Sequence, residues 1–467
     1  MKKTKIICSI GPSSMDYEVF KNMVKNGMNA ARINFSHSSV EERGHIESLV
    51  NKANKEFGTN IAIIYDTKGP NFRTGVMAEN GVKLEVGKTI KIVKKSVLGT
   101  EESFTVNFKN VLKEIKVGDN VMLEDGLMKL LVRSKEGDDL VCEVIVGGLL
   151  KSKKGINVPG VDFKIEFLSK EDVFDIEYAC KKNGDFLALS FVNGKDNILA
   201  VRKILEKYNS SMKIIAKIES DIALSNIDEI IEYSDGIMIA RGDLGVEIPP
   251  EEIPFVQKEI IKKCREVGKV CIVATEMMAS MYTSPRPSRA EVADIAGAVL
   301  DGCDAVMLSG ETTVGEYPVE AVGYMSRICE TIEKGYDYVP KNQQNNLDIT
   351  GAIANSVVDI SSSLNAKLIV AATMSGYTAG KISNLKPKCL VLATVPSEKV
   401  AKSLALSWGV YPVVTKVFKS TDEVINDSKN KAINFAKLVK GDKIIITGGL
   451  PIKRDVKSTN LIKIEEI

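Results

Sequence analysis

Two acidic side chains and one lysine have the spacing of a metal site that handles phosphate groups. Lys217 and Glu219 lie two residues apart in IIAKIES, so on a β-strand both side chains leave from the same face. Asp243 follows in the next apolar segment, MIARGDLGVEIP. Because Mg²⁺ usually takes one or two carboxylates and completes its shell with substrate oxygens and water, Glu219 and Asp243 form a candidate divalent-metal pair. A purely structural Lys217–Glu219 ion pair is the alternative.

A second group of polar side chains has the composition of a cation and phosphate site. Its members alternate along the run ARINFSH or end the next run: Arg32, Asn34, Ser36, Asp66 and Thr67. Their oxygens suit a cation, and Arg32 and Arg73 could each bind phosphoryl oxygens through two N–H groups. The sequence has only two histidines, so a hard, oxygen-ligated metal is favoured over a histidine-rich centre.

Short apolar runs separated by amphipathic stretches must position these side chains. The strand-like runs span residues 5–10, 30–35, 61–66, 186–191, 213–218, 236–240, 270–275 and 305–308. Eight strands alternating with helices predict a (β/α)8 TIM barrel, in which active-site groups lie at the carboxyl ends of the strands. Asp66, Glu219 and Thr275 fit this rule, since each ends a run or directly follows one.

The pattern of the sequence changes twice, and each change predicts another unit. Between residues 69 and 162, short alternating segments rich in Lys, Val, Thr and Gly indicate a small β-rich insertion. Beyond residue 340, apolar runs at 367–372, 389–393, 410–414 and 443–447 indicate a small doubly wound α/β domain. The predicted domains are therefore 1–68 with 163–340 for the barrel, 69–162 for the insertion and 341–467 for the last unit.

Composition argues against several other classes of protein. The 467 residues carry 63 basic and 61 acidic side chains, so the chain lacks the positive excess that sequence-independent nucleic-acid binding needs. None of the eight cysteines forms a Cys-x-x-Cys pair, which favours a reducing compartment over a disulfide framework. No apolar run reaches membrane-spanning length, and Gly11-Pro12 interrupts the start too early for a signal-peptide core. We expect a cytoplasmic protein with no membrane or nucleic-acid partner.

A hydroxyl-rich loop in the last unit has the composition of a phosphate-binding nest. It directly follows the run at 367–372 and reads Thr373-Met374-Ser375-Gly376-Tyr377-Thr378. Hydroxyls and backbone amides at the start of a helix attract phosphate groups, and Lys453 and Arg454 could add a second contact. An ordinary helix cap is the alternative interpretation.

Nine segments occur in the same order as in a known enzyme family. They are KIICSIGPSS, ARINFSH, DTKGPNFRTG, SKKGINVPG, IIAKIES, MIARGDLGVEIP, ATEMMASM, PSRAEVADIAGAVLDGCDAVMLSGETTVGEYPVEAV and LSWGVYPV. Short motifs mislead singly, but their shared order over nearly the whole chain is highly specific. The sequence resembles pyruvate kinases. The resemblance implies phosphoryl transfer between phosphoenolpyruvate and ADP, a small β-barrel lid formed by the insertion, a regulatory last domain and a homotetramer. Since the chain ends soon after that domain, we expect it to lack the further carboxyl-terminal domain of some bacterial members.

The resemblance also implies roles for individual residues. Glu219 and Asp243 would bind Mg²⁺ or Mn²⁺, Lys217 would stabilise the transferring phosphoryl group, and Thr275 would border the proton path. The remaining implied residues are Arg32 for the substrate phosphate; Arg241, Gly242, Asp243 and Thr275 for the substrate carboxylate; Asn34, Ser36, Asp66 and Thr67 for K⁺; Asn34, His37, Arg73 and Lys154 for the nucleotide; and Thr373, Ser375, Gly376 and Thr378 for a phosphorylated allosteric effector.

A few positions depart from the family pattern. Asn71 stands where potassium-dependent members carry Glu and potassium-independent members carry Lys, which leaves both alternatives open. Asn193 replaces an Arg after Ser-Phe-Val, and Glu276 and Ala279 alter the segment beside Thr275. Three functions are compatible with this pattern: an active pyruvate kinase, a catalytically weak paralogue that senses phosphorylated metabolites, and another barrel enzyme that uses phosphoenolpyruvate. The first is favoured.

Overall fold

The fold is that of a computed structural model, which describes residues 1–78, 80–161, 163–335, 348–418, 420–449 and 459–467; counts of elements refer to these residues. The strands are β1 (Lys5–Ser9), β2 (Ala30–Asn34), β3 (Ala62–Asp66), β4 (Val82–Leu84), β5 (Thr89–Val93), β6 (Ser103–Thr105), β7 (Asn120–Leu123), β8 (Met128–Glu136), β9 (Asp139–Val146), β10 (Gly148–Leu150), β11 (Ile156–Asn157), β12 (Phe186–Leu189), β13 (Lys213–Ile218), β14 (Gly236–Ala240), β15 (Val270–Ala274), β16 (Ala305–Leu308), β17 (Leu368–Ala372), β18 (Leu390–Val395), β19 (Val410–Val414), β20 (Lys443–Gly448) and β21 (Leu461–Glu466).

The α-helices are bounded by recognisable caps. They are α1 (Tyr17–Lys25), α2 (Val40–Phe57), α3 (Lys170–Lys181), α4 (Lys195–Lys207), α5 (Asp221–Ser225), α6 (Ile227–Tyr233), α7 (Arg241–Glu247), α8 (Ile253–Val267), α9 (Arg289–Asp301), α10 (Gly310–Thr313), α11 (Pro318–Gly335), α12 (Ile349–Ser363), α13 (Tyr377–Asn384), α14 (Glu398–Ser403) and α15 (Thr421–Ala436). Ser39, Ser169, Ser288 and Ser420 form capping boxes at the starts of α2, α3, α9 and α15, because each accepts a main-chain N–H three residues on. None of the described helices is both long and apolar enough to cross a membrane.

Eight parallel strands form a closed barrel in the described part of the chain. The neighbours run β1-β16-β15-β14-β13-β12-β3-β2. The prediction of a (β/α)8 barrel is therefore confirmed, and the predicted strand limits differ from the observed ones by at most two residues. These strands are buried on both faces, which explains why they read as continuous apolar runs in the sequence.

The interior of the barrel includes side chains from outside the barrel. Its buried apolar set is Ile7, Ala30, Ala62, Ile64, Phe186, Ala188, Ile215, Met238, Ile272, Ala274, Ala305 and Met307 from the strands, with Ala405 and Leu406 from the last unit. Leu406 is fully buried among them. The segment between α14 and β19 therefore closes one end of the barrel.

Lysines and amides join the last unit to the amino-terminal ends of the barrel strands. The links are Lys5 Nζ to the carbonyl oxygen of Val410 (2.6 Å), Lys213 Nζ to that of Ser403 (2.7 Å), Asn60 Nδ2 to that of Pro412 (3.0 Å), and Lys386 Nζ to Asp304 Oδ1 (2.5 Å). Since these barrel residues begin or precede strands, the last unit covers the end of the barrel opposite the predicted active site.

The insertion between β3 and β12 has a core of its own. Its strands form a six-stranded sheet in the order β11-β7-β8-β9-β5-β6 and a two-stranded sheet of β10 and β4, as far as the structure describes them. Phe104, Leu123, Leu130 and Leu140 are fully buried in its apolar cluster. The unit is thus β-rich, as the sequence predicts, and the hydrogen bond from Asn157 Nδ2 to Glu247 Oε1 (2.8 Å) joins it to α7 of the barrel.

The last unit contains a five-stranded sheet in the order β19-β18-β17-β20-β21. The strands β17 to β20 are parallel and match the four predicted apolar runs. The edge strand β21 is antiparallel to β20, and the sequence analysis missed it. Its sequence, LIKIEE, is half charged and none of its residues is buried, so it lacks the buried run by which the other strands are recognised. The predicted boundary at residues 340 and 341 lies outside the described residues.

Candidate active site

Lys217 lies at the carboxyl end of β13 and contacts oxygen acceptors on three sides. Its Nζ is 2.7 Å from Glu219 Oε1, 2.8 Å from Ser190 Oγ and 3.4 Å from Asp66 Oδ1. The side chain is only 10% exposed. Burial alone would lower the pKa of Lys217, but the Asp66 and Glu219 carboxylates outweigh that effect and raise it. The ammonium group is therefore charged at neutral pH.

Arg32, on β2, lies near Lys217, since both side chains contact Asp66. Its Nε donates to Asp66 Oδ2 (2.6 Å), and one terminal nitrogen donates to Ser9 Oγ (2.8 Å). Burial would raise the pKa of Asp66, but Arg32 and Lys217 together lower it. One buried carboxylate therefore fixes two cations at the mouth of the barrel.

Glu219 and Asp243 form an acidic pair at the ends of β13 and β14. Glu219 Oε2 accepts the main-chain N–H of Phe191 (2.6 Å), which orients the carboxylate. Burial, and then the charge of Glu219, raise the pKa of Asp243 to about 7. A divalent cation would relieve this repulsion, so the pair fits the donor set that Mg²⁺ or Mn²⁺ requires. No cluster of three or more potential His, Cys, Asp or Glu ligands occurs among the described residues, so substrate and water oxygens would have to complete the shell.

Thr275 follows β15 in a strained conformation. Its φ is 68°, which is rare for a β-branched residue, and Glu276 follows with φ 55°. Thr275 Oγ1 donates to the carbonyl oxygen of Ala274 (2.6 Å) and accepts the N–H of Gly242 (2.7 Å). Arg241 turns away from the mouth, since its guanidinium donates to both oxygens of Asp294 (2.6 and 2.7 Å). Only the main chain at Arg241 is thus available for a substrate.

The four residues predicted to bind K⁺ lie at the carboxyl ends of the adjacent strands β2 and β3 or just beyond them. Asn34 and Asp66 are partners in the register of β2 and β3. Their oxygens are partly engaged: Asn34 Oδ1 accepts the N–H of Ser36 (3.0 Å), and Thr67 Oγ1 accepts the N–H of Ser190 (3.1 Å). The donors are the hard oxygens that a monovalent cation prefers, and Asp66 supplies the only negative charge among them.

A cleft of about 740 Å³ separates the insertion from the barrel mouth. Arg73, Lys154 and Asp243 are among its described lining residues, whereas Asn34 and His37 are not. Arg73 donates to the carbonyl oxygen of Lys153 (2.9 Å), and Lys154 pairs with Glu124. The cleft therefore brings Asp243, one member of the proposed metal pair, together with two cations of the insertion.

His37 and Asn71 lie at the edges of this arrangement. Burial, followed by the nearby charges of Arg73 and Arg32, lowers the pKa of His37, so the ring is neutral at neutral pH. Asn71 lines the cleft without a charge, and its carbonyl oxygen accepts a hydrogen bond from Asn107 Nδ2 (2.9 Å).

The hydroxyl-rich loop of the last unit is a turn between β17 and α13. Gly376 has φ 86°, and its N–H donates to Thr373 Oγ1 (3.0 Å). Thr378 Oγ1 is buried against Thr459 Oγ1 (2.8 Å), whereas Ser375 is exposed. One amide and two hydroxyls of the predicted nest, those of Gly376, Thr373 and Thr378, therefore already have protein partners. Lys453 and Arg454, the predicted second contact, lie outside the described residues.

Three contacts at the mouth were not anticipated from the sequence. Ser190 contacts Lys217, Ser9 contacts Arg32, and Phe191, with φ 57°, orients Glu219. Ser9 ends β1 and Ser190 directly follows β12, so the strand-end rule would have selected both. The positive φ of Phe191 has no sequence signal, because Phe has no preference for that conformation.

Asn193, which replaces the Arg of the family pattern, has a structural account. Its Oδ1 accepts a hydrogen bond from Ser220 Oγ (2.7 Å), its carbonyl oxygen accepts one from Asn226 Nδ2 (2.8 Å), and its N–H donates to Asn197 Oδ1 (2.9 Å). Ser220 directly follows Glu219 and caps α5. The loop after β12 is therefore tied to the turn that carries Glu219. Nothing in the structure explains Ala279.

Comparisons with known proteins agree along the whole chain. The sequence model described as "Pyruvate kinase, barrel domain" matches residues 1–322, and that described as "Pyruvate kinase, alpha/beta domain" matches residues 351–465. A pyruvate kinase of Staphylococcus epidermidis is 42% identical over 470 residues, which cover 99% of this chain and 80% of the relative. One of Staphylococcus aureus is also 42% identical, over 471 residues with the same coverage. The crystal structure of a pyruvate kinase from Cryptosporidium parvum superposes with a TM-score of 0.93 at 37% identity and covers 100% of this chain and 96% of that one.

Proposed function

Because this chain belongs to the pyruvate kinase family and is a phosphotransferase, we propose that the mouth of its barrel transfers the phosphoryl group of phosphoenolpyruvate to ADP, giving pyruvate and ATP. One observation carries the proposal. A charged lysine, Lys217, lies within hydrogen-bonding distance of Glu219, which with Asp243 forms a carboxylate pair suited to a divalent ion.

The charges around Lys217 suit a phosphoryl group in transfer. Such a group carries negative charge on its peripheral oxygens, so catalysis consists mainly of positioning and of fixed cations. Arg32 binds the phosphate of the bound substrate, and Lys217 follows the phosphoryl group as it moves. Asp66 holds both cations in place, which limits their reorganisation during the reaction.

Glu219 and Asp243 are the residues that would hold the divalent ion. When bound, Mg²⁺ or Mn²⁺ supplies a Lewis acid that stabilises the enolate oxygen left when the phosphoryl group departs. The amides near Gly242 and Asp243 would seat the substrate carboxylate, for which the Gly242 N–H must exchange its hydrogen bond to Thr275 Oγ1 for one to the substrate. Thr275 Oγ1 lies 2.7 Å from the nitrogen of Gly242 and can assist, with water, in protonating the methylene carbon.

The insertion acts as a lid in this proposal. It carries Arg73 and Lys154 on the wall of the cleft that faces Asp243, where they can bind the phosphates of the nucleotide. Closure of the cleft would exclude water and limit loss of the phosphoryl group to hydrolysis. Asn34 and His37 would complete the nucleotide site only after such a closure.

We further propose four properties that are implied by the family. Asn34, Ser36, Asp66 and Thr67 bind K⁺, the Thr373–Thr378 loop binds a phosphorylated effector, the enzyme works in the cytoplasm, and it forms a homotetramer. The exposed position of Ser375, directly before the N-cap residue of α13, supports the effector site, since the first main-chain N–H groups of a helix attract anions.

A coupled assay with phosphoenolpyruvate, ADP, Mg²⁺ and lactate dehydrogenase tests the proposal, run with K⁺ and with Na⁺ at equal ionic strength. We expect pyruvate formation that requires ADP. Metabolite binding without turnover would instead identify a sensor, and turnover without consumption of ADP would identify a different barrel enzyme. A panel of sugar phosphates and nucleotides in the same assay tests regulation, and a Ser375→Asp variant should lose the response.

A further inference from the structure

We propose that Ser190 is a positioning residue, whose hydroxyl aims the ammonium group of Lys217 at the phosphoryl group in transfer. This inference rests on the proposed function of Lys217. Ser190 was absent from the candidate residues that the sequence suggested, and its role follows from contacts among β3, β12 and β13.

The hydroxyl of Ser190 has a defined direction. Its Oγ is 2.8 Å from the carbonyl oxygen of Thr67 and 3.3 Å from Asp66 Oδ1, so the single hydroxyl proton goes to Thr67. The N–H of Ser190 donates to Thr67 Oγ1 (3.1 Å), which makes the contact between the two residues reciprocal. The lone pairs of Oγ therefore face Lys217, whose Nζ is 2.8 Å away.

Ser190 is closely packed against the main chain at Gly69. The side chain is 3% exposed, and a Cβ built on Gly69 would lie 3.0 Å from the carbonyl oxygen of Ser190 and 3.1 Å from its Cβ. Gly69 has φ 65°, a conformation that other residues rarely adopt. Only glycine leaves room for Ser190 at this approach, and the two hydrogen bonds to Thr67 fix the direction of the serine hydroxyl.

An ammonium group has three N–H donors, and Lys217 uses all three in this structure, on Glu219, Ser190 and Asp66. When Glu219 engages a divalent ion, the N–H directed at Glu219 becomes available for the substrate. Ser190 and Asp66 still accept the other two N–H groups of Lys217, and these two hydrogen bonds determine where the released N–H points.

A neutral acceptor suits this role better than a third carboxylate. Ser190 directs Lys217 without adding negative charge beside an incoming phosphoryl group, whereas another acidic side chain would repel that group. The two carboxylates keep the lysine charged, and the serine sets its direction. The Ser190 contribution should therefore appear when charge develops in the transition state.

A double-mutant cycle tests this assignment. In the otherwise unchanged enzyme, Ser190→Ala should lower kcat by about 10- to 100-fold, the loss expected for a hydrogen bond to a charged group, with less than about a threefold change in the KM of phosphoenolpyruvate. In a Lys217→Met background the same substitution should change kcat less than about twofold, because the lysine it aims is gone. Calorimetric Mn²⁺ affinity should match the wild type, and a crystal structure of Ser190→Ala should show the Lys217 ammonium displaced.

Two outcomes would overturn the inference: an equal loss of kcat in both backgrounds, or a fall in Mn²⁺ affinity that accounts for the loss in activity. Ser234→Ala is the matched control, since Ser234 is a buried serine before β14 at the other end of the barrel, and it should lower stability without changing kcat. If Lys217→Met alone retained full activity, the proposed function of Lys217 would fail and the role of Ser190 with it, whereas either outcome above with an inactive Lys217→Met overturns the role of Ser190 alone.

Discussion

The two ends of strand β13 each carry a lysine, and the pKa values of these two lysines are shifted in opposite directions. Lys217, at the carboxyl end, faces Asp66 and Glu219, and these carboxylates raise its pKa despite burial. Lys213, at the amino end, donates to the carbonyl oxygen of Ser403 (2.7 Å), and burial lowers its pKa. Two lysines only four positions apart on one strand thus differ in charge: Lys217 is kept charged, and the charge of Lys213 is disfavoured.

The carboxyl end of the barrel carries the groups suited to chemistry, and the amino end carries the contacts that hold the last unit. The carboxyl end of the barrel gathers charged groups that only partly neutralise one another, and its strained residues Phe191 and Thr275 hold them in place. The amino end is closed by Leu406 and by lysines that donate hydrogen bonds to main-chain carbonyl groups. Changes at the first end should affect turnover, and changes at the second should affect stability.

The largest expected effect comes from exchanging the two lysines for methionine, one at a time. Lys217→Met should lower kcat by at least about 10²- to 10³-fold, since it removes a cation from the transferring phosphoryl group, with a much smaller change in KM. Lys213→Met should leave kcat within about threefold of the wild type, because its partner is a main-chain carbonyl. Steady-state kinetics with phosphoenolpyruvate measures both. Equal losses in kcat and substrate affinity for Lys217→Met would contradict the assignment.

The next effect concerns the proposed metal pair. Glu219→Gln should weaken Mn²⁺ binding by at least about 10- to 100-fold, because it removes one of two charged ligands. Titration calorimetry on the purified protein measures this without an activity assay. Glu247→Gln is the control, since Glu247 lines the cleft beside the insertion together with Asp243 but is bonded to Asn157, and this substitution should change the affinity little. Similar losses for both variants would mean that the cleft attracts metal by general charge alone.

At the closed end, Leu406→Ala should lower stability by about 2–5 kcal/mol, because it leaves a cavity inside the barrel. The control Leu406→Met preserves volume and should cost less than about 1.5 kcal/mol. Differential scanning calorimetry measures the shift in Tm, and kcat at 25 °C should remain close to that of the wild type. A loss of kcat with an unchanged Tm would show that the two ends are not separate.

The smallest effect is a pH dependence at Lys5. Burial lowers the pKa of Lys5 well below its usual value, with a further lowering from Lys2 and an opposing effect of Glu333. Below about pH 10.4 the unfolded chain binds a proton that folded Lys5 does not, so Lys5 destabilises the fold increasingly as the pH falls toward its folded pKa. Lys5→Met should therefore gain stability relative to the wild type as the pH is lowered from 10 to 7. Thermal melts measure this difference, which the exposed control Lys55→Met should not show.

The sequence predicts those features of the fold and site that depend on residues a few positions apart. The alternation in IIAKIES predicts that Lys217 and Glu219 share a face, and they lie 2.7 Å apart. The apolar runs predict the barrel and four of the five strands in the sheet of the last unit. Both signals depend on residues a few positions apart, where strand geometry fixes the relation between side chains.

What the sequence does not reveal depends on contacts between distant segments. Ser190 meets Lys217 because β12 lies between β3 and β13, an order that no local pattern contains. Leu406 enters the barrel from a segment about 100 residues beyond the last barrel strand. The sequence shows only that Asn193 replaces an Arg, whereas its hydrogen bonds to Ser220 and Asn226 are visible only in the structure.

The entry of Leu406 into the barrel also has a consequence for protein synthesis. All eight barrel strands leave the ribosome before Leu406 does, and at 5–20 residues per second the interval after β16 lasts about 5 to 20 s. During that interval the inner apolar layer around Ile7, Phe186 and Met307 lacks its cover. We therefore expect the nascent barrel to expose this apolar layer to solvent until the last unit emerges and docks.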